Sequence, residues 1–290
     1  MTELTVYAIA QEATNVRALL GAACRAVSVD VRLELFGSGA LFQRLRTRRT
    51  PPPPDLILWL GPYAAQAAAL EELLQPYQPS SLPGAAAHAA DWRWTAVDFL
   101  PFRVTGATAV ASLDDLATVP RLAIADPEIS ELGMMSAIAV LDHTRQRARN
   151  LEEGWQWWQR RIAAGLEVAG DDNHALELVR QGRASHALTL RGSGAAFTGL
   201  APVPQAIALA AGTQNLAAAR VVFDWLASPE ASSGDALSAW QAQANGLQAL
   251  FDAAAPLDVD WATSQYTSIR RHWAAIFGGS APAAATVLAT

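Results

Sequence analysis

The sequence predicts an α/β protein in two halves, with parallel-dominated sheets flanked by helices and two extended crossovers. Three observations lead there. Strand-like and helix-like runs alternate from the first residues onward. The run Leu56 to Leu60 is apolar at every position, as in a parallel strand buried on both faces. A strand–turn–helix pattern recurs between Leu4 and Leu74 and starts again near Arg121.

Leu4 to Ala8 reads as the first strand and Thr14 to Val27 as an amphipathic helix, with Thr14 as its N-cap. Val27 to Phe36 alternates apolar and polar residues, the period of a half-buried strand. It stops at Phe36-Gly37-Ser38-Gly39-Ala40, where glycines allow a sharp turn and a close backbone approach to a ligand. A short helix over Ala40 to Arg48 follows, its first-turn N–H groups open to an anion or a carbonyl. The prolines Pro51 to Pro54 can be neither helix nor central strand and read as a stiff connection. After Leu56 to Leu60, Gly61-Pro62-Tyr63 breaks the strand and Ala64 to Leu74 is helical.

Gln75 to Asp91 reads as irregular, and Trp92 to Val104 as extended and aromatic. Ser112 starts a short helix, Arg121 to Ala125 is a strand, and Asp126-Pro127 ends it. Ser130 to Gly133 leads into a helix over Leu132 to Arg147. Leu151 to Ala164 is the next helix, and its Trp155, Trp157 and Trp158 read as packing. Leu166 to Ala169 is a strand, and Gly170-Asp171-Asp172-Asn173 caps a helix ending near Gly182. Ser185 to Leu190 is a strand followed by Arg191-Gly192-Ser193-Gly194. Pro204 to Ala210 is extended and recrosses. Helices then cover Leu216 to Ala227, Ser232 to Ala244 and Asp260 to Ile276, and the tail from Gly278 reads as loose.

Composition excludes some classes. The 290 residues are 51% hydrophobic and 17% charged, the profile of a folded globular chain. Net charge is −6 and all 21 basic residues are arginine, with no clustered basic face for nucleic acid. The one cysteine, Cys24, excludes an internal disulfide and lies on the apolar face of a helix as filler. No run of 18 apolar residues is present. The N-terminus opens directly into a strand without a charged-then-apolar leader. That start fits a cytosolic chain or one whose leader has been removed.

The order of these motifs resembles the type 2 periplasmic solute-binding proteins of ABC importers, especially the ferric-iron-type extracellular branch. The resemblance runs from Leu4 to about Phe277. It is carried by Leu4-Thr5-Val6-Tyr7, Phe36-Gly37-Ser38-Gly39-Ala40-Leu41 and Asp55-Leu56-Ile57-Leu58-Trp59 with Gly61. It continues through Ser112-Leu113-Asp114-Asp115-Leu116, Arg121 to Pro127, and Ala217 to Leu226 before Ser228-Pro229-Glu230. The resemblance implies a two-lobe periplasmic-binding-protein-like II fold that holds one solute in an interlobe cleft, closes by hinge motion and docks on importer membrane subunits. Lobe I would cover residues 1–100 with 206–255 returning to it, lobe II 101–205, and 256–290 a C-terminal helix and tail. A monomer in the periplasm or at the cell surface is expected.

Departures from the family bear on the cargo. Where iron-binding members carry a histidine or similar ligand after the first strand, this chain has Gln11. Gly61-Pro62-Tyr63 stands in place of a carboxylate ligand. Thr189-Leu190-Arg191 matches the adjacent tyrosine pair, and Ser130-Glu131-Leu132-Gly133 replaces the Ser-Gly-Thr anion loop. Ferric iron wants hard anionic oxygen ligands, so tyrosinate-type iron binding is rejected, with iron on other ligands as the alternative cargo. The expected solute is small, polar and anionic, such as a phosphonate or sugar phosphate. Candidate ligand-binding residues are Gln11, Gly37, Ser38, Gly39, Tyr63, Ser130, Asp172, Asn173 and Arg191. No cofactor, resident metal or catalytic residue is expected. His88, His143, His174, His186 and His272 are scattered, and an enzyme using a cleft cysteine or lysine is disfavoured by absent lysine and by Cys24. A ligand sensor on the same fold is the other alternative.

Overall fold

The computed structural model describes residues 3–9, 13–36, 38–47, 53–80, 88–190, 194–228 and 256–277. The expected helix Ser232 to Ala244 and the tail from Gly278 lie outside them. The chain divides into two compact units, Met1–Pro101 with Ala201–Thr263, and Phe102–Leu200 with Ser264–Thr290.

The first unit contains β1 (Glu3–Ile9), α1 (Ala13–Val27), β2 (Asp30–Phe36), α2 (Ser38–Thr47), β3 (Leu56–Leu60), α3 (Pro62–Leu70), β4 (Leu74–Gln75) and β5 (Thr95–Leu100). After the chain returns, it adds β11 (Val203–Ala210) and α8 (Leu216–Leu226). Strand order is β2-β1-β3-β11-β4, with β5 also paired to β11. The first three strands are parallel, and Ile9 pairs with Phe36 while Ala8 pairs with Leu58. Their carboxyl ends are therefore level, and α1, α2 and α3 all start from that end. Helix α1 buries Val16, Leu19, Leu20 and Ala23 on the sheet, the i, i+3, i+4, i+7 stripe of an amphipathic helix. It begins at Ala13, one residue before the expected N-cap Thr14. Cys24 is only half-buried, and burial, then Asp30, pushes its thiol above the ordinary range.

Asp55 locks the opposite end of this sheet. Its buried carboxylate accepts the Thr5 N–H at 2.8 Å and the Thr213 hydroxyl, with Asn215 Nδ2 at 3.3 Å from Oδ2. These bonds tie the starts of β1, β3 and α8 together. Each replaces water that burial has removed from the charge.

The second unit contains β6 (Arg103–Gly106), α4 (Leu113–Thr118), β7 (Leu122–Ala125), α5 (Glu131–Ala148), α6 (Leu151–Ala163), β8 (Glu167–Ala169), α7 (Asp172–Arg180), β9 (His186–Thr189) and β10 (Ala195–Ala196). A last helix, α9 (Val259–Phe277), begins in the first unit and continues into this one. Its sheet runs β10-β6-β9-β7-β8, with β9, β7 and β8 parallel. The expected single extended stretch Trp92 to Val104 is two strands, β5 and β6, one in each unit. Pro101 stands between them and has no N–H to continue a ladder.

Ser112 caps α4 in a full capping box with Asp115, each satisfying a backbone N–H of the first turn. Helix α5 is buried over most of its length, from Gly133 through Asp142. Trp158 and Trp273 are completely buried and meet edge-to-face at 5.0 Å, joining α6 to α9. The tryptophan run is therefore packing. Among the described residues no helix is long and apolar enough to cross a membrane.

Candidate functional site

In an open parallel sheet, ligands gather beyond the carboxyl ends of the strands. In the second unit those ends are Ala125, Ala169 and Thr189, and hydrogen bonds hold their three loops side by side. The Asp126 N–H donates to Ala169 O at 2.7 Å, joining the end of β7 to the end of β8. The Leu190 N–H donates to Asp172 Oδ2 at 2.9 Å, joining the end of β9 to the first residue of α7.

Two helices of useful length start from this end. Ser130 is the N-cap of α5, and its Oγ accepts the Gly133 N–H at 3.2 Å. Gly133 is required there: a Cβ would collide with the Ala125 carbonyl oxygen, so the helix presses directly on the strand end. Asp171 is the N-cap of α7, accepting the His174 N–H at 2.8 Å, while His174 Nδ1 accepts the Gly170 N–H. The first-turn N–H groups of Leu132 and Asn173 have no intrahelical acceptor. Both helix starts add partial positive charge. Glu131 lies close enough to Tyr266 of α9 to raise that phenol, after the larger effect of burial. Arg270 of α9 braces the same loop by donating to Glu128 O at 3.2 Å.

Thr189 completes the end of β9. Side chains alternate along a strand, so it shares the face of Ala187, which packs with Ala175, Leu176 and Leu178 of α7. Its side chain is fully buried, and Oγ1 has no hydrogen-bond partner among the described residues. Leaving such a hydroxyl unpaired costs about 1–3 kcal/mol.

In the first unit, Ser38 and Gly39 are the first residues of α2, directly beyond the end of β2. Gly61 is the N-cap of α3 in ordinary extended conformation, with Pro62 opening the helix, a position where its missing N–H costs nothing. Tyr63 lies in that first turn and is buried.

The predicted site residues thus fall into two sets, one per unit. Ser38, Gly39 and Tyr63 lie at the carboxyl end of the first sheet. Ser130, Asp172 and Asn173 lie at the carboxyl end of the second. Gln11, Gly37 and Arg191 lie outside the described residues. Asp172 is buried and tied to Leu190, which makes it a brace between loops, and Asn173 is exposed beside it. Thr189 draws no notice in the sequence as a donor, because a threonine ending a strand is ordinary by composition. Asp126 reads there only as a strand end, yet its Oδ1 accepts the Glu128 N–H at 2.8 Å. That bond to the backbone two residues on shapes the turn into α5. Among the described residues no three His, Cys, Asp or Glu side chains stand close enough to hold a metal ion.

The fold is similar to that of solved periplasmic binding proteins. The chain aligns over 96% of its length with AfuA of Actinobacillus pleuropneumoniae, solved with fructose-6-phosphate bound, covering 99% of that chain at TM-score 0.72 and 13% identity. A substrate-binding protein of an Agrobacterium tumefaciens ABC transporter gives TM-score 0.71 at 15% identity, covering 95% of this chain and 94% of that one. Iron-bound HitA of Pseudomonas aeruginosa gives 0.66 at 14% identity, covering 94% and 99%. By sequence, a probable ABC transporter periplasmic-binding protein of Sinorhizobium fredii, y4fP, is 24% identical over 257 residues, 80% of this chain and 70% of the relative. No family model matches the chain.

Proposed function

We propose that the chain is a solute-binding protein of an ABC importer whose cargo is a small polar anion, such as a sugar phosphate or a phosphonate. The observation that carries this reading is the joined carboxyl end of the second sheet, where bonds hold the loops after β7, β8 and β9 together and the buried Thr189 hydroxyl ends β9 without a partner among the described residues. An anionic oxygen there gives the Thr189 hydroxyl an acceptor and meets N–H groups of both helix starts. Ser130 and Asn173 contribute from the second unit, and Ser38 and Gly39 from the first. Arg191, one residue beyond Leu190, supplies the cationic partner, with Gln11 and Gly37 as further candidates in the first unit. Asp172 acts through Leu190, and Tyr63 supports the α3 turn from inside.

The fold alone does not choose between a phosphorylated sugar and iron, since AfuA holds one and HitA the other. The residues favour the organic anion. Thr189-Leu190-Arg191 stands where the resemblance expects adjacent tyrosines, and hydroxyl and amide donors suit phosphate rather than ferric iron. The protein acts by binding and delivery, as a periplasmic monomer that presents its loaded state to the importer. Titration calorimetry with fructose 6-phosphate, inorganic phosphate, methylphosphonate and ferric citrate tests the cargo. Micromolar or tighter binding of at least one phosphorus oxyanion, with no iron uptake, is expected. Tight ferric binding with none of the anions bound would overturn it.

A further inference from the structure

Trp59 lies inside β3 and is buried, yet its φ is +57°. That left-handed conformation crowds the Cβ of an L-residue against its carbonyl and is uncommon for a bulky side chain. The strand register gives its origin. On β11, Ala206 pairs with Leu60 and Ile207 with Leu58, so Trp59 is the extra residue of a β-bulge. The same strand shifts again on its other side, where Gln205 pairs with Asp98 and Ala206 with Ala96. Two bulges therefore flank β11 at one level.

The indole bridges them. Trp59 Nε1–H donates to Asp98 Oδ2 at 3.4 Å, although β3 and β5 are not neighbours and each pairs with β11 between them. Asp98 Oδ1 accepts the Phe99 N–H at 2.6 Å, which orients the acceptor. Two residues after Trp59, Gly61 caps α3, and its carbonyl accepts the Ala65 N–H at 2.9 Å. Three residues after Asp98, the chain leaves the first unit at Pro101.

We infer that Trp59 is a positioning residue. Its bulge and its anchor on Asp98 fix the Gly61–Tyr63 turn relative to β5, the strand that carries the chain out of the unit. Left-handed backbone at a large side chain persists only where the surroundings over-determine it, and here the register on both sides of β11 and the indole bond do so. The inference rests on reading the Gly61–Tyr63 turn as part of the solute site.

Hydrogen exchange by mass spectrometry on the full chain tests it without any solute. Trp59→Phe keeps an aromatic ring and removes the N–H, and Asp98→Ala removes the acceptor. Each is expected to speed exchange in peptides covering Gly61 to Ala65 at least fivefold, with peptides from Glu3 to Ile9 unchanged. Because Asp98→Ala already removes the indole's acceptor, together with the bond to Phe99, adding Trp59→Phe to it should speed exchange no further than Asp98→Ala alone. Unchanged exchange in Trp59→Phe, additive effects, or equal acceleration across all peptides would overturn the inference. None of those results bears on whether the wild-type protein binds a solute, so the two readings fail separately.

Discussion

Asp172, the first residue of α7, accepts the backbone N–H of Leu190, one residue past the end of β9. The carboxylate is buried and the bond is charge-assisted. Asp172→Ala leaves that N–H without its acceptor and should cost about 1.5–3 kcal/mol in urea denaturation. Asp172→Asn keeps an acceptor oxygen and should lose clearly less.

Thr189 separates stability from binding. Thr189→Val keeps the shape and removes a buried hydroxyl that has no partner among the described residues. Its melting temperature should hold or rise by about 2–4 °C, the equivalent of roughly 1 kcal/mol in a protein of this size. Affinity for the solute should fall at least tenfold, about 1.4 kcal/mol. A variant that loses stability and binds normally would place the hydroxyl in packing instead.

Gly133 tests how closely α5 meets the sheet. Gly133→Ala drives a methyl group into the Ala125 carbonyl. Backbone cannot yield as a flexible side chain would, and overpacking of this kind costs about 1–3 kcal/mol. Thermal denaturation reads it directly.

His143 makes stability depend on pH. Burial first, then Arg147, lowers its pKa, against the opposing pull of Asp114 and Asp142. The unfolded chain therefore takes up this proton first as pH falls below about 6.5. The contribution of His143 is fully present above that pH and is lost as pH falls through the lowered native value. His143→Gln should flatten the wild-type stability curve over that window and leave it unchanged at pH 8, as followed by urea midpoints.

Much of the fold is legible because its signals are strong and local. Leu56 to Leu60 is apolar at every position, and burial on both faces follows from that alone. Ser112 announces a helix start, and the amphipathic pattern of Thr14 to Val27 announces a helix with one buried face. Strands β4 and β10 escape a sequence reading because two residues carry no period. Pro204 to Ala210 reads as a simple crossover, yet β11 pairs with β3, β4 and β5. Pro204 obscures this. It is tolerated because that part of β11 pairs with β5 alone, which leaves its other side without a ladder to break.

The site is less legible, for a physical reason. The helix starts carrying Ser130 and Asp172 show in the sequence as cap residues ahead of apolar runs. The bonds that gather them, Asp126 to Ala169 and Leu190 to Asp172, join residues far apart in the chain or use the backbone, which has no sequence signature. Trp59 gives no warning either. Left-handed backbone is announced by glycine or asparagine, and a tryptophan inside an apolar run reads as plain strand.

Native mass spectrometry of the protein purified gently from its own host measures the cargo most directly. The account predicts one bound species of small-molecule mass per chain, released on denaturation and carrying a phosphate or phosphonate group, with Thr189→Val markedly depleted in it. A chain that carries ferric iron instead, or that arrives empty and takes up no phosphorus oxyanion at millimolar concentration, would contradict it.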